Sequence, residues 1–475
     1  MRSIYIIFII FLFSPSITVK GQGTDNKFNI SITIKGAEDS YLTIGYHLGD
    51  KQYIKDTIVT DSRGHGVYSG DEVLEQGLYI VLLPDNRYFD IIIDTDQHFE
   101  ISCSREDIVG TMVVKGSIEN QDFLDYQRKW MDLQNQSRKL REKLQADTQA
   151  GINTDKQRKL VTEHEARMLD FLKSTASRKP GSFLSLLVKA LIPIEIPEFD
   201  TQENGENADS LRWIAGYSYN RDHFFDNIDL SDSRLVRTPI LHSRLDTYFS
   251  RVLIQHPDSI SRMIPEIVNK TEGDSVMFRY LVVFLFNHFR ESPIMGHDGI
   301  AVKIIDDYYL SGKANWISEE TYQSLSEDAN RLRTNLIGKK AVDLVMETYS
   351  GQPRSIYDIK KDFTIVYFWE PNCGHCKTST PKLKEIYNKY KTKDIEVFAV
   401  CTQDNREEWE AYIADNEIDW INGWDPSRST HFDFFYNVSA TPLIYILDKD
   451  KIIIAKKIGV ENIESFLNDY RKHNH

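Results

Sequence analysis

The segment FTIVYFWEPNCGHCK, residues 363–377, joins an apolar run to two cysteines that are separated by two residues. The run Phe363–Trp369 has the length and composition of a strand that is buried on both faces. A helical pattern extends from about Cys373 to Tyr390, so Cys373 and Cys376 lie where a strand gives way to a helix. The first turn of a helix presents unpaired N–H groups and the positive end of the helix dipole, and both stabilise a thiolate. The segment therefore predicts an α/β fold with a reactive cysteine pair at a strand–helix junction.

The C-x-x-C spacing is open to two interpretations. It is also half of a tetrahedral zinc site, but that site needs two more ligands, and no second C-x-x-C pair or spaced histidine pair accompanies this one. The redox interpretation makes Cys373 the nucleophile that attacks a disulfide and Cys376 the thiol that resolves the mixed disulfide. Gly374 and His375 lie between them, and His375 can add positive character or a hydrogen bond near the thiolate. We predict neither a metal nor a cofactor.

Strands and helices alternate from Ile337 onward, which is the pattern of an α/β domain. We expect, after the strand Phe363–Trp369, a strand at 395–400, helices at 406–415 and 430–436, a hairpin of strands at 443–447 and 452–455, and a last helix at 463–470.

Residues 368–377 resemble the active-site signature of thioredoxin-fold proteins, in particular the extracytoplasmic TlpA/ResA-like group. Pro381 matches the proline that kinks the active-site helix in that family. Thr441 and Pro442 match the loop whose cis-proline faces the cysteine pair and offers backbone groups to a substrate strand. The stretch 399–439 is similar to the insertion typical of the TlpA-like group. The resemblance covers roughly residues 337–470, and it implies a thioredoxin fold and a periplasmic location.

The sequence departs from the family pattern at the acid that assists proton transfer. Thioredoxins carry a buried aspartate six residues before the first cysteine, where this chain has Tyr367, and ResA-like proteins carry a glutamate three residues after the second, where it has Ser379. Glu370 is the candidate replacement, although an exposed glutamate near a helix start is more often simply solvated. The residue before the first cysteine is Asn372 rather than an aromatic. Trp369 is expected to pack beside the disulfide.

The rest of the chain predicts a multidomain protein with an N-terminal all-β domain, an α-helical middle domain and the C-terminal α/β thioredoxin-like fold. Strict alternation over 28–34 and short strands at 41–44, 77–83, 88–93 and 111–114 predict a small sandwich or partly open barrel. Helical spacing begins at Asn120. We therefore predict these boundaries: a signal peptide at 1–22, a β-rich domain at 23–118, a helical domain at 119–336 and the thioredoxin-like domain at 337–475.

The N-terminus carries Arg2 followed by an apolar run of ten residues, Ile4–Phe13. A bilayer span needs about 20 apolar residues, so this run predicts a secretory signal, with an uncleaved membrane anchor as the alternative. The core run Val282–Phe286 fits a buried helix instead. Export to the periplasm agrees with the family resemblance.

Charge and cysteine content narrow the class of protein. The formal net charge of −14 argues against nucleic acid as a partner, because phosphate binding needs cations. A chain of 475 residues with only four cysteines does not depend on a framework of structural disulfides. We expect Cys103 and Cys401 to be inert core thiols, with a bridge between them left open.

These features predict a periplasmic thiol–disulfide oxidoreductase that reduces or isomerises disulfides of envelope proteins and draws electrons from an unidentified membrane or periplasmic donor. The resemblance to TlpA-like proteins favours reduction, whereas the Gly-His dipeptide also occurs in protein disulfide isomerase. The alternative is an envelope interaction protein whose thioredoxin-like module is a scaffold with little or no activity, because most of the chain lies outside that module.

Overall fold

The computed structural model describes residues 27–200, 206–271, 273–392 and 394–473. The predicted signal peptide, residues 1–22, lies outside the described residues.

The chain divides into two compact units. The first holds the described residues up to Pro193 together with Arg234–His242. The second holds Ile194–Ser233 and the chain from Ser243 onward. The stretch predicted as one helical domain, 119–336, is thus shared between the two units.

The N-terminal region is a sandwich of two four-stranded sheets, with strand orders β4-β1-β7-β8 and β3-β2-β5-β6. Alternate residues face inward, and the inward Ile30, Ile32 and Ile34 of β1 are fully buried in the core between the sheets. The strands are β1 (Phe28–Lys35), β2 (Tyr41–Leu48), β3 (Lys51–Val59), β4 (His65–Gly70), β5 (Gly77–Leu82), β6 (Tyr88–Ile93), β7 (His98–Ser104) and β8 (Val113–Lys115).

The predicted β character of this region is confirmed, but β3, β4 and β7 are additional strands. β3 is exposed along nearly its whole length. Because neither of its faces is buried, its sequence has no apolar alternation from which a strand could be predicted. β7 does alternate between buried and exposed residues, and this signal was available in the sequence. The predicted strand at 111–114 is wrong in part, because Thr111 ends a short helix, α1 (Ile108–Thr111).

Three helices follow the sandwich within the first unit, and they cover the outer face of its second sheet. They are α2 (Ile118–Gln149), α3 (Asp155–Arg178) and α4 (Phe183–Lys189). Ser117 caps α2 by accepting a hydrogen bond from the N–H of Asn120. Leu78 and Ile92 of the sheet pack against Phe123 of α2 in a second core.

Further helices precede the C-terminal sheet: α5 (Glu206–His223), α6 (Pro239–Thr247), α7 (Pro257–Asn269), α8 (Ser275–Arg290), α9 (His297–Ile304) and α10 (Glu319–Arg333). α6 and α9 each continue into a π-helical turn, Tyr248–Val252 and Ile305–Leu310. The run Val282–Phe286 lies inside α8 and is mostly buried, as predicted. Across the described ranges, no helix is long and apolar enough to cross a membrane.

The C-terminal region forms a seven-stranded sheet in the order β10-β9-β13-β12-β11-β14-β15. Its strands are β9 (Val345–Thr348), β10 (Pro353–Ser355), β11 (Phe363–Trp369), β12 (Ile395–Cys401), β13 (Ile421–Trp424), β14 (Leu443–Leu447) and β15 (Ile453–Lys456). Its helices are α11 (Gly374–Tyr390), α12 (Arg406–Asp415), α13 (Phe432–Phe435) and α14 (Ile463–His473).

The central strand β11 is buried on both faces, as its apolar sequence predicts. It runs parallel to β12 and antiparallel to β14. One face, with Tyr367 and Trp369, packs against α11, α12 and α14, and the other, with Val366 and Phe368, packs against α13 and its neighbours. The dithiol therefore lies at the carboxyl end of the central strand.

Candidate active site

Cys373 is the residue that caps helix α11. Its Sγ accepts a hydrogen bond of 3.2 Å from the backbone N–H of Cys376, in the position that a serine or aspartate side chain usually takes. The carbonyl of Cys373 accepts the N–H of Lys377 at 3.0 Å, which starts the helical ladder. The sulfur therefore occupies the positive end of α11, as the sequence predicted.

The half-buried Cys373 is the thiol that ionises more readily. Burial acts to raise its pKa, but hydrogen bonds from the side chain and backbone N–H of Cys376, from the Thr441 side chain and from the backbone of His375 outweigh it. The pKa of Cys373 is accordingly below the ordinary thiol value. A thiolate stabilised in this way and open to solvent on one side is a nucleophile.

Cys376 has the opposite properties. It is fully buried, and burial together with its hydrogen bond to Cys373 raises the pKa of Cys376 to about 12. All four cysteines are free thiols in the structure. The two sulfurs of the motif are therefore differentiated into an accessible, acidic thiol and a hidden, weakly acidic one.

The loop before β14 completes the site. The Thr441–Pro442 peptide bond is cis, as the resemblance implies. Because β14 pairs antiparallel with β11, the loop reaches the same sheet edge as the dithiol, where the Cys373 thiol donates a hydrogen bond of 3.4 Å to the Thr441 carbonyl. Thr441 and Pro442 are only half-buried, so the loop forms part of the accessible surface beside the nucleophile.

The other predicted site residues take different places. Trp369 is buried, its ring lies 4.9 Å from that of Tyr412, and it belongs to the same apolar cluster as Cys376. Gly374 begins α11, and a side chain there would meet open space. His375 is exposed, and it stabilises the Cys373 thiolate through its backbone rather than its ring.

Glu370, the candidate proton-transfer acid, directs its carboxylate away from the sulfurs. Its Oε1 accepts a hydrogen bond of 2.6 Å from the Thr402 hydroxyl, and Oε2 accepts one of 3.5 Å from Gln403. Its backbone, in contrast, hydrogen-bonds Cys376 and lowers that thiol's pKa. In the described part of the chain, no carboxylate forms a hydrogen bond with either sulfur of the motif.

The sequence reasoning did not find the residues that support the dithiol from helix α12 and from the second turn of α11. Asn372 hydrogen-bonds Glu408 of α12. Tyr367 and Thr380 share a hydrogen bond of 3.0 Å. Thr380 follows Cys376 by four residues, which places the two on one helix face, and this spacing was a usable signal.

The remaining cysteines are core residues. Cys103 and Cys401 are both buried, and burial raises the pKa of Cys103 to about 11 and that of Cys401 to about 12. Both are core thiols, as predicted, and the bridge between them that the sequence left open is not formed. Among the described residues, no cluster of three histidine, cysteine or acidic side chains could hold a metal ion.

Two family models match the chain. Residues 337–456 match the AhpC/TSA family, and residues 28–123 match a domain of unknown function designated DUF4369.

Individual relatives are similar to parts of the chain. The thiol-disulfide oxidoreductase ResA of a Bacillus cereus strain is 26% identical over 149 residues, which are 31% of this chain and 83% of the relative. A solved domain of a possible thiol-disulfide isomerase from Cytophaga hutchinsonii is 42% identical and covers 29% of this chain and 95% of its own, with a TM-score of 0.28. A thioredoxin-like protein from Bacteroides caccae is 19% identical, covers 58% of this chain and 97% of its own, and has a TM-score of 0.46.

The AhpC/TSA match, the 42% identity to the Cytophaga hutchinsonii domain and the dithiol at the head of α11 agree with one another. The C-terminal region of this chain belongs to the TlpA/ResA-like thiol–disulfide oxidoreductases of the thioredoxin fold.

Proposed function

We propose that this protein is a periplasmic thiol–disulfide oxidoreductase that reduces or isomerises disulfides of envelope proteins through Cys373 and Cys376. The observation that carries the proposal is the difference between the two sulfurs. Cys373 is accessible and its pKa is lowered, whereas Cys376 is buried and its pKa is raised to about 12. Such a pair performs attack and resolution as separate steps.

The reaction balances as follows. The Cys373 thiolate attacks one sulfur of a substrate disulfide, forms a mixed disulfide and releases the other sulfur as a thiolate, which takes a proton from water. Cys376 then loses its proton and attacks Sγ of Cys373, which breaks the mixed disulfide and releases the second substrate thiolate. The substrate has gained two electrons, and the pair has become a disulfide that a dithiol donor must reduce.

The direction of exchange separates reduction from isomerisation. In isomerisation a thiol of the substrate itself displaces Cys373, so the pair ends reduced and no donor is consumed. The relatives carry both descriptions, oxidoreductase and possible isomerase. We favour reduction because of the TlpA-like resemblance. A redox titration of the Cys373–Cys376 couple against glutathione buffers tests this: a potential near that of thioredoxin, about −270 mV, supports reduction, and one near about −180 mV supports isomerisation.

The location is proposed from the N-terminal sequence. Arg2 and the apolar run Ile4–Phe13 favour export, and the partners would then be disulfide-containing proteins of the envelope and a reductant on the same side of the membrane. Fractionation of cells that express the full chain should recover it in the periplasm with a shortened N-terminus. Recovery in the cytoplasm would contradict this part of the proposal.

Insulin reduction in the presence of dithiothreitol tests the activity. We expect the full-length C373S variant to fall to the uncatalysed rate and the C376S variant to accumulate mixed disulfides with its substrates. The C103A variant changes a buried thiol of the other unit and serves as the matched control. The scaffold alternative is not favoured, because both thiols and the cis-proline loop are in place; an unchanged rate in C373S would restore it.

A further inference from the structure

A cavity of about 310 Å³ lies in the first unit, between the outer face of the second sheet and helix α2. Leu78 of β5 and Leu187 of α4 line it and are almost fully buried. Met131 of α2 also lines it, but 48% of its surface is exposed. The cavity thus has a buried apolar floor and opens to solvent beside Met131. Its lining residues belong to this one unit, and no residue of the dithiol site is among them.

Aromatic rings form one wall of the cavity. Phe123, Tyr126 and Trp130 are spaced three and four residues apart on α2, so they lie on one face of the helix. The Tyr126 ring lies 6.4 Å from that of Phe123 and 6.2 Å from that of Trp130, with interplanar angles of 15° and 12°. The ring of Phe171 from α3 packs against Tyr126 at 5.8 Å and supports the row. Because the faces of aromatic rings carry partial negative charge, this wall attracts cations as well as apolar groups.

A carboxylate interrupts the apolar lining. Asp90 of β6 lines the cavity, and 26% of its side chain is exposed. Its Oδ1 is buried and has no hydrogen-bond partner among the described residues. Nε2 of His47 forms an ion-pair contact with this oxygen at 3.8 Å, which is too long for a hydrogen bond. An ionised group in apolar surroundings costs free energy unless it is paired, so the exposed part of this side chain favours a cationic donor.

Size and charge together define the class of ligand. The volume of about 310 Å³ lies at the lower end of the range for small-molecule sites, which is about 300–1,000 Å³. A protein partner would instead need about 800 Å² of surface on each side. The cavity therefore fits one small molecule. An apolar lining with one carboxylate complements a molecule that joins a ring-sized apolar body to an ammonium group, and the same carboxylate repels an anion.

We propose that this cavity binds a small amphipathic amine. Its ammonium group pairs with the Asp90 carboxylate, and its apolar body packs against Tyr126 and Trp130. The binding is non-covalent and leaves the dithiol unchanged. The site combines the region that matches DUF4369, residues 28–123, with the part of α2 that follows it. It goes beyond the proposed function, and its test does not depend on that function.

Calorimetric titration of the full chain at pH 7 with three probes of similar shape tests the requirement for charge. Phenethylamine carries an ammonium group, phenethyl alcohol a hydroxyl group and hydrocinnamate a carboxylate. We expect saturable one-site binding of the amine, binding of the alcohol that is weaker by about tenfold or more, and no binding of the acid. The reason is that a hydrogen bond to a charged group usually contributes about tenfold or more in affinity.

Two variants and a matched control locate the charge and the aromatic wall. D90N should weaken binding of the amine about tenfold and remove the preference for the amine over the alcohol. W130L should weaken binding of the amine about threefold, because it removes an aromatic face. D125N removes an exposed carboxylate of α2 and should leave the affinity unchanged.

Hydrogen exchange of the full chain identifies where the amine binds. Phenethylamine should slow exchange of the amides of residues 123–131 and of β6 and leave those of β11 unchanged. Absence of binding of all three probes, equal affinity of the wild type for the amine and the alcohol, or protection confined to other segments would overturn the proposal. Unchanged affinity for the amine in a folded D90N variant would overturn it as well. If D90N does not fold, the preference of the wild type for the amine and the exchange pattern decide the outcome.

Discussion

The β-sandwich and the thioredoxin-like domain are both built on sheets with a densely buried core. The pKa of a cysteine thiol nevertheless shifts in opposite directions in the two. Cys103 lies within strand β7 of the sandwich, where burial alone raises its pKa to about 11. Cys373 lies after a strand and before a helix, where backbone N–H groups turn to its sulfur and lower its pKa. The position in the fold, rather than the residue type, makes the thiol reactive.

The same comparison applies within the C-terminal sheet. Cys401 is paired with Trp369 at the neighbouring strand end, only one strand away from the dithiol, but burial raises its pKa to about 12. It ends β12 without capping a helix. A position at the end of a strand is therefore not enough to lower the pKa of a thiol. The thiol must also lie at the N-terminus of a helix.

The largest effect is expected from removing the reactive sulfur. The C373S variant should lose catalysed insulin reduction completely, because no other thiol of the chain is both accessible and acidic. The C103A variant should keep the wild-type rate, since that thiol lies in the sandwich core. Turbidity of precipitating insulin chains measures both. Substantial activity in C373S would contradict the conclusion that Cys373 of the thioredoxin-like domain is the reactive thiol.

Alkylation over a range of pH tests the difference in pKa between Cys373 and the three buried thiols. The lowered pKa of Cys373 means that its reaction with iodoacetamide should reach half its maximal rate below the ordinary thiol value of about 8.5. Cys376 and Cys401, whose pKa values are raised to about 12, and Cys103 should stay unlabelled at pH 7 in the folded, reduced protein. Peptide mass spectrometry identifies the labelled residue. Labelling of Cys373 that begins only above pH 9 would contradict the assignment of the nucleophile.

The strands and helices of the thioredoxin-like core could be predicted because each is marked by a pattern within a few residues. The apolar run of β11 and the hairpin around Asp448 have periodicity or turn chemistry within a few residues, and β11, α12 and β14 have the predicted bounds. The thiols of the motif follow from their spacing together with the strand before them and the helix after them. The cis bond at Thr441–Pro442 came only through the resemblance.

What the sequence did not show depends on contacts between distant segments. β3 is an exposed strand whose alternation carries no apolar face, so pairing with β2 rather than pattern makes it a strand. Tyr367 and Thr380 each look like ordinary core residues, and their shared hydrogen bond exists because α11 packs on β11. Glu370 looked available as an acid, but the tertiary contact with Thr402 turns it away.

In each unit a buried polar contact joins a helix to the sheet. We expect the two contacts to contribute different amounts to the free energy of unfolding. In the second unit the buried Lys456 of β15 forms an ion pair with Asp298 of α9, and its Nζ donates hydrogen bonds to Asn335 O at 2.8 Å and Oδ1 at 2.9 Å. Because burial lowers the pKa of Lys456 and Asp298 opposes this, removing Asp298 leaves a buried ammonium group without its ion-pair partner.

The D298N variant should therefore lose about 3–5 kcal/mol of unfolding free energy, the usual range for a broken buried pair. The D306N variant removes the partner of Arg333 in a pair that is only partly buried, and it should lose no more than about 1 kcal/mol. Urea unfolding of the full chain, followed by the fluorescence of its tryptophans, compares the two. Equal losses would show that the Lys456 contact does not hold the helices to the sheet.

In the first unit the contact is uncharged, and its effect should be smaller. β6 is an edge strand, and its outward backbone groups at Ile92 are paired by the Asn120 side chain: the Ile92 N–H donates to Oδ1 at 2.8 Å, and Nδ2 donates to the Ile92 carbonyl at 2.7 Å. Asn120 thus substitutes for a further strand and closes the edge. The N120A variant leaves both backbone groups buried and unpaired and should cost about 1–3 kcal/mol.

Hydrogen exchange at the Ile92 amide tests this locally, and it should accelerate in N120A while the amides of β11 keep their protection. The exposed Asn135 on the same helix provides the control, because N135A removes only a surface contact with Arg138 and should change the unfolding free energy by less than about 0.5 kcal/mol. If the Ile92 amide stayed protected in N120A, the edge would be closed by packing of α2 alone. The two units would then differ in the kind of contact that joins helix to sheet, and not only in its contribution to stability. A buried polar contact would be needed only by the sheet that carries the dithiol.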